Sequence, residues 1–213
     1  MRDKIRGLYR GKPQKLIDFY GNEYISGIEK ERVNSITVCH HKIDGDDVAN
    51  HNFHGGKERV ICVYSYKHYL YWQNEYNRTL PECAFGENMT LEQMTEEEVY
   101  VGDIFQIGEV IVQVSQGRFP CMTIERRTGF KHLLKRVIDT GYTGYFFRIL
   151  QEGTIKVGDT VQLIERKQNM LSIMDLHHLY YHGKGDHEKI QAAIQMEDLA
   201  DFWKMKLAKS LNH

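Results

Sequence analysis

A thiol and a guanidinium three residues apart, at the end of an apolar run, form the part of this sequence best suited to chemistry. The segment is Gln116-Gly117-Arg118-Phe119-Pro120-Cys121. A cation near a cysteine favours the thiolate, the form that attacks electrophiles and binds soft metals. A lone cysteine can equally be a small buried apolar residue, so its surroundings decide. From Arg118 onward, Arg126, Arg127, Lys131, Lys135 and Arg136 follow, and within residues 118–136 only Glu125 opposes these cations. Such a run reads either as a solvated basic helix face or as a contact for an anionic partner. Because it adjoins Cys121, cation and thiol are expected to share one cleft.

Other residues with chemical potential are scattered. In His51-Asn52-Phe53-His54-Gly55-Gly56-Lys57-Glu58-Arg59, two adjacent glycines lie between a histidine and two cations, so backbone amides can approach an anion closely. Phe85-Gly86-Glu87-Asn88 is a second glycine-kinked polar turn. The cysteines, Cys39, Cys62, Cys83 and Cys121, contain no C-x-x-C pair, so neither a zinc ribbon nor an iron–sulfur cluster is signalled. Free thiols point to a cytoplasmic protein. His178 and His182, with His177 and His187 near, have the i, i+4 spacing of a zinc site. Residue 179 is Leu where H-E-x-x-H needs Glu, so packing histidines are the expectation.

The elements that must position these groups are mostly strands. Val110, Val112 and Val114 alternate as in a half-buried strand, which Gly117 and Pro120 end. Residues 35–39 and 60–64 read as strands, and Ser65 as the cap of a helix to about Asn77 with Tyr66, Tyr69 and Leu70 on one face. Val101-Gly102-Asp103 and Val157-Gly158-Asp159 each lead into a strand, which predicts two hairpins of one barrel. Past residue 166 helix signals take over. Ser172 with Asp175 resembles a capping box, and the first helix is expected to end at Gly183-Lys184-Gly185. Asp186 caps a second helix with Ile190, Ala193 and Ile194, and a third carries Leu199, Phe202, Trp203 and Leu207. Three such short helices have little core of their own and are expected to dock on the barrel or on a second subunit.

Composition narrows the function classes. The 213 residues have ordinary globular proportions of apolar (41%) and charged (27%) residues, so a packed core is expected. A net charge of -1 argues against a chain that coats nucleic acid. No apolar run is long enough to span a bilayer, and residues 1–12 are charged with no apolar segment typical of a secretory signal. A cytoplasmic location with no membrane partner is the expectation.

Taken in order, Ser26-Gly27-Ile28-Glu29-Lys30, Gly45-Asp46, His54-Gly55-Gly56, Phe85-Gly86-Glu87-Asn88, Gln116 to Cys121, and Thr143-Gly144-Tyr145-Phe146-Phe147-Arg148 resemble the MOSC-domain family. These are relatives of the C-terminal domain of molybdenum cofactor sulfurases, and residues 171–211 are similar to the three-helix ending of the bacterial YiiM-type branch. The resemblance covers nearly the whole chain. It implies a mainly β fold with α, namely a MOSC-type β-barrel over residues 1–166 followed by a small three-helix (3-alpha) bundle over residues 170–213.

The same resemblance implies binding of the molybdenum cofactor (molybdopterin), a pterin with a phosphate and a dithiolene-held molybdenum. The family's molybdenum-ligating cysteine falls on Cys121. Lys30, His54, Gly55, Gly56, Arg59, Asn88 and Arg118 are implied to hold phosphate and pterin. Relatives often have Pro where this chain has Gly117, and Trp where it has Met122. Relatives also reduce small N-hydroxylated compounds such as hydroxylaminopurines and amidoximes. The sequence has no G-x-G-x-x-G after a strand and no cluster-binding cysteines, so electrons are expected from an external reductase of flavoprotein or ferredoxin type. Two other readings stand beside this one: a persulfide carrier on Cys121 for metal–sulfur cofactor assembly, and a nucleic-acid-binding module using the basic run. Nucleic acid is not the expected partner, and a homodimer is one of the two fates foreseen for the helical ending.

Overall fold

The computed structural model describes residues 1–51, 54–183 and 186–211. Asn52 and Phe53 of the glycine-pair loop, and Lys184 and Gly185 of the expected turn, lie outside the described residues. The chain begins with strand β1 (Arg2–Arg10), the hairpin β2 (Gln14–Ile17) and β3 (Glu23–Ser26), and the short strands β4 (Glu31–Val33), β5 (Ser35–Cys39) and β6 (Lys42–Ile43). Strand β7 (Ile61–Ser65), helix α1 (Tyr66–Tyr76), β8 (Met89–Leu91), β9 (Ile104–Ile107) and β10 (Val110–Gly117) follow. Helices α2 (Thr123–Thr128) and α3 (Leu133–Thr140) then precede β11 (Tyr145–Gln151), β12 (Gly153–Lys156) and β13 (Thr160–Glu165). The chain closes with α4 (Ile173–Tyr181), α5 (His187–Gln195) and α6 (Asp201–Ser210).

Seven strands close a barrel in the order β13-β9-β10-β11-β7-β8-β1, with β1 returning to β13 at Arg2 opposite Gln162, and β4 adds to β1 outside the ring. Closure satisfies the backbone groups that an open edge would leave unpaired. β7 and β8 run parallel, and α1 lies in the connection between them. Apolar side chains from the ring, among them Val63, Phe105, Ile107, Val112, Phe147 and Val161, fill the interior. The expected mainly β barrel with helices is therefore what the chain forms.

Three local expectations need correction. β10 is not half-buried, because the face turned away from the barrel is covered by α4 and by the approach to α6, where the Ala200 amide donates to the Ser115 carbonyl over 3.0 Å. The two Gly-Asp turns do not make two similar hairpins. β9 turns directly into β10, whereas β12 pairs with β5 in a separate sheet and β13 pairs with β9 itself. On α1 the buried residues are His68, Tyr69 and Trp72, while Leu70 is exposed. The helix packs its Trp72 indole onto the Tyr64 hydroxyl, and that polar contact sets its roll.

The helical ending starts as expected: the Ser172 hydroxyl accepts from the Asp175 amide and the Asp175 carboxylate accepts from the Ser172 amide. Its apolar stripe does not form a core of its own. Ile173, Leu176, Ile190, Leu199, Trp203 and Leu207 belong to the same continuous core as the barrel strands.

Candidate functional site

A cavity of about 750 Å3 opens where residues 45–51 and 54–59 and the 26–30 segment face the ends of β7 and β10 and the 85–88 turn. Cys121, Arg118, Arg59 and His54 line it, and so do Gly55, Gly56, Lys30 and Asn88. All eight residues singled out from the sequence thus meet at one place. They do not face it in the same way.

Cys121 is half-buried, just past the turn that ends β10 and one residue before the N-cap of α2. Two hydrogen bonds hold that turn to the body: the Arg118 amide donates to the Gly144 carbonyl over 3.0 Å, and the Trp203 indole donates to the Gly117 carbonyl over 2.7 Å. The Arg118 side chain reaches into the cavity. Among the described residues no carboxylate pairs with it and no group accepts a hydrogen bond from its guanidinium. Burial opposes its charge, but the neighbouring Cys62, Cys121 and Glu87 more than compensate and hold its pKa above the ordinary arginine value.

Lys30 and Asn88 are engaged in the wall. The Lys30 ammonium, nearly sealed from solvent at 5% side-chain exposure, pairs with Asp46. The Asp46 carboxylate also accepts from the Gly11 amide at 2.8 Å and from the Asn88 side-chain amide at 3.0 Å. Asn88 in turn accepts from the Cys62 amide at 3.1 Å and donates to the Tyr9 carbonyl at 3.2 Å. This Lys30–Asp46–Asn88 strut fastens the 44–47 loop to β1 and β7. Asp46, which the sequence offered only as part of the Gly45-Asp46 motif and without a role, is the hub of this strut; only the fold brings a lysine, a glycine amide and an asparagine around it.

His54, Gly55 and Gly56 form the rim. Gly55 and Gly56 have φ of +75° and +84°, a left-handed pair that a side-chain-bearing residue rarely adopts. Partial burial and the charges of Arg118 and Arg59 push the His54 pKa down, so its ring is neutral at neutral pH. The Arg59 guanidinium sits 5.2 Å above the Phe202 ring, and burial lowers its pKa against the opposing pull of Glu58.

Two more ionisable groups back the cavity without having been foreseen. Cys62 lines it as a buried thiol whose pKa burial raises. Behind the 85–88 turn, the fully buried Glu87 carboxyl accepts from the Tyr69 hydroxyl at 2.5 Å and the Thr90 hydroxyl at 2.9 Å, and burial raises its pKa. The Gly86-Glu87-Asn88 turn was visible, but its inward-facing acid was not.

The basic run does not behave as one surface. Of its six cations, only Arg118 lines the cavity. Arg127 pairs with Glu29 at 2.8 Å, Lys135 with Asp139 at 2.6 Å, and Arg136 with Glu75 at 2.7 Å, while Arg126 lies over the Tyr24 ring. Part of the positive charge is thus neutralised by acids, two of them from distant elements (Glu29 and Glu75) and one, Asp139, from the same helix. Two of the C-terminal histidines are likewise engaged: His177 on α4 and His182 just past its end both approach the Ile138 carbonyl, at 2.7 and 3.1 Å, and burial pushes the His177 pKa down to about 4.

The MOSC domain matches residues 50–162, the stretch that contains the rim loop, the 85–88 turn, Arg118 and Cys121. The uncharacterized protein YflK of Bacillus subtilis is 34% identical over 209 residues, covering 98% of this chain and 94% of that protein. This chain belongs to the MOSC domain family. The crystal structure of YiiM from Geobacillus stearothermophilus superposes with a TM-score of 0.83 at 32% identity, covering 98% of the MOSC chain described here and 99% of YiiM, which places it with the YiiM-type branch. A protein named Reductase from Gibberella moniliformis is 35% identical over 162 residues, 73% of this chain and 28% of that longer protein.

Proposed function

We propose that this MOSC protein binds the molybdenum cofactor in the Cys121 cavity and reduces small N-hydroxylated compounds there, with electrons from a separate flavoprotein or ferredoxin-type reductase. The observation that carries the reading is one cavity holding a half-buried thiol and a guanidinium that no described group of the protein occupies. A soft sulfur donor suits a thiophilic metal, and an unclaimed cation beside a glycine-pair rim suits a phosphate. The cavity volume also falls in the range of sites that enclose a cofactor-sized molecule.

In this reading Cys121 ligates the molybdenum, while Arg118, Arg59 and the Gly55–Gly56 backbone hold the phosphate end. Lys30 and Asn88 act through Asp46, keeping the wall in place. His54 offers a neutral ring nitrogen at the rim. When bound, the cofactor supplies the two-electron chemistry of oxygen removal; the protein contributes binding, orientation and exclusion of bulk water. Conversion of an N-hydroxyl to an amine consumes two electrons and two protons and releases water. The relative named Reductase supports a redox role. The domain division follows the same reading, with residues 1–166 carrying the cofactor residues and residues 170–213 the helical part.

The test is expression in a host that makes the cofactor, followed by measurement of molybdenum content, pterin fluorescence and reduction of a hydroxylaminopurine or amidoxime with a chemically reduced dye. Wild-type protein is expected to carry molybdenum and turn over; Cys121→Ser is expected to lose activity, while Cys39→Ser, Cys62→Ser and Cys83→Ser retain most of it. A persulfide on Cys121 in protein devoid of molybdenum would replace this reading with that of a sulfur carrier.

A further inference from the structure

The turn that carries Cys121 is held on its outer side by the end of the chain. Trp203, 1% exposed, donates its indole N–H to the Gly117 carbonyl over 2.7 Å. Its ring packs against Phe119, the residue between Arg118 and Pro120, with centroids 4.4 Å apart and planes tilted by 37°. Phe202 meets the same Phe119 edge-on at 5.3 Å, and Tyr180 from α4 meets it at 5.1 Å. The approach is close enough that a Cβ on Gly117 would lie 3.3 Å from Ile173 and 3.5 Å from Trp203. On the inner side, Gly144 accepts from the Arg118 amide, and the Gly144 amide is itself held by Glu96 at 2.6 Å.

The second face of α6 reaches another part of the cavity. Phe202 lies under the Arg59 guanidinium, so one helix touches both the Cys121 turn and a cation of the rim. Pro120, with its fixed φ, is the single residue between Phe119 and Cys121, a short and stiff link from the ring to the thiol.

We propose that Trp203 is a positioning residue of the Cys121 site: through the Gly117 carbonyl and the Phe119 ring, α6 sets where the thiol and Arg118 stand in the cavity. The inference takes the Cys121 cavity as the working site, as in the proposed function, but its decisive readout needs neither cofactor nor turnover. Among the described residues Cys121 makes no hydrogen bond to α6, whereas the turn beside it makes one through the Gly117 carbonyl.

The experiment measures the rate at which iodoacetamide alkylates Cys121 in the full-length protein, followed by mass spectrometry of the Cys121 peptide. Trp203→Phe keeps an aromatic ring and removes the donor. Leu207→Ala, on the same helix and fully buried, serves as the control that loosens the core while keeping the indole hydrogen bond and the ring contacts of the turn. Trp203→Phe is expected to raise the Cys121 alkylation rate by about fivefold, the scale of one lost hydrogen bond, whereas Leu207→Ala lowers the melting temperature and leaves the rate near wild type. If cofactor-loaded protein turns over, Trp203→Phe should lower kcat with KM retained. Should Trp203→Phe fail to fold, Phe119→Leu removes the ring contact from the turn side with the same expected rise. An unchanged alkylation rate in the folded variant, or an equal rise in Leu207→Ala, would overturn the proposal. A raised rate in protein that binds no molybdenum would sink the proposed function and leave the positioning role standing.

Discussion

Lys30 and Arg118 both line the cavity, and their opposite wiring gives a sharp prediction for Lys30→Met and Arg118→Met. Lys30 is paired with Asp46 inside the protein, both side chains nearly sealed at 5% and 11% exposure. Removing the ammonium leaves a carboxylate buried with only the Gly11 amide and the Asn88 side chain to satisfy it. Breaking one side of such a buried pair costs about 3–5 kcal/mol, and the two remaining donors put the expectation near the lower end. For a chain of this size that corresponds to a fall in melting temperature of roughly 2–4 °C per kcal/mol. Arg118 has no such partner among the described residues, and for it the cost of burial is set against the pull of Cys62, Cys121 and Glu87. Arg118→Met should therefore change stability by less than about 1 kcal/mol while removing a charge-assisted contact worth about 1.5–3 kcal/mol to a bound anion, or roughly 10- to 150-fold in affinity. Urea denaturation gives the stabilities, and isothermal titration with pyrophosphate, together with molybdenum content, gives the binding. If both variants are equally destabilised, or if Lys30→Met stays stable and loses binding as Arg118→Met does, the division between a structural and a ligand-facing cation is wrong.

Truncation after Arg166 should give an aggregating protein rather than a soluble barrel, because Ile173, Leu199, Trp203 and Leu207 complete the barrel's own core and each gains about 1.5–3 kcal/mol on burial; a soluble, cooperatively melting 1–166 fragment would show that the barrel closes its core without them. His177 makes stability depend on acid. Its folded pKa near 4 lies below the ordinary histidine value of 6.5, so its contribution is fully present above about pH 6.5 and is lost as pH falls towards 4, where the unfolded chain takes up the proton first. The loss is expected to reach at most about 3 kcal/mol, and His177→Gln, measured by denaturation across that range, should flatten the slope; an unchanged slope would mean that other groups carry it.

Local chemistry was enough to read the parts that need only near neighbours. Alternating valines, then Gly117 and Pro120, mark the end of β10 because strand pairing and its interruption are decided within a few residues, and the Ser172–Asp175 cap marks α4 for the same reason. The ordered short motifs were likewise sufficient to point to the MOSC family, because each of them marks a turn or strand end of the fold. The wiring of charges was not legible. Whether Lys30, Arg127 or Arg136 is available to a ligand depends on Asp46, Glu29 and Glu75, and the last two pairs join residues 98 and 61 positions apart. Ion pairing acts through space at a few ångströms, so the run from Arg118 to Arg136 carries no record of which of its cations will find an acid. The burial of β10 on both faces was hidden in the same way. The residues that cover its outer side come from α4 and α6, and the Trp203 bond to Gly117 spans 86 positions. Only closure of the barrel by β1 and β13, and the return of the chain over it, decided that Cys121 and Arg118 would face one cavity while the neighbouring cations would not.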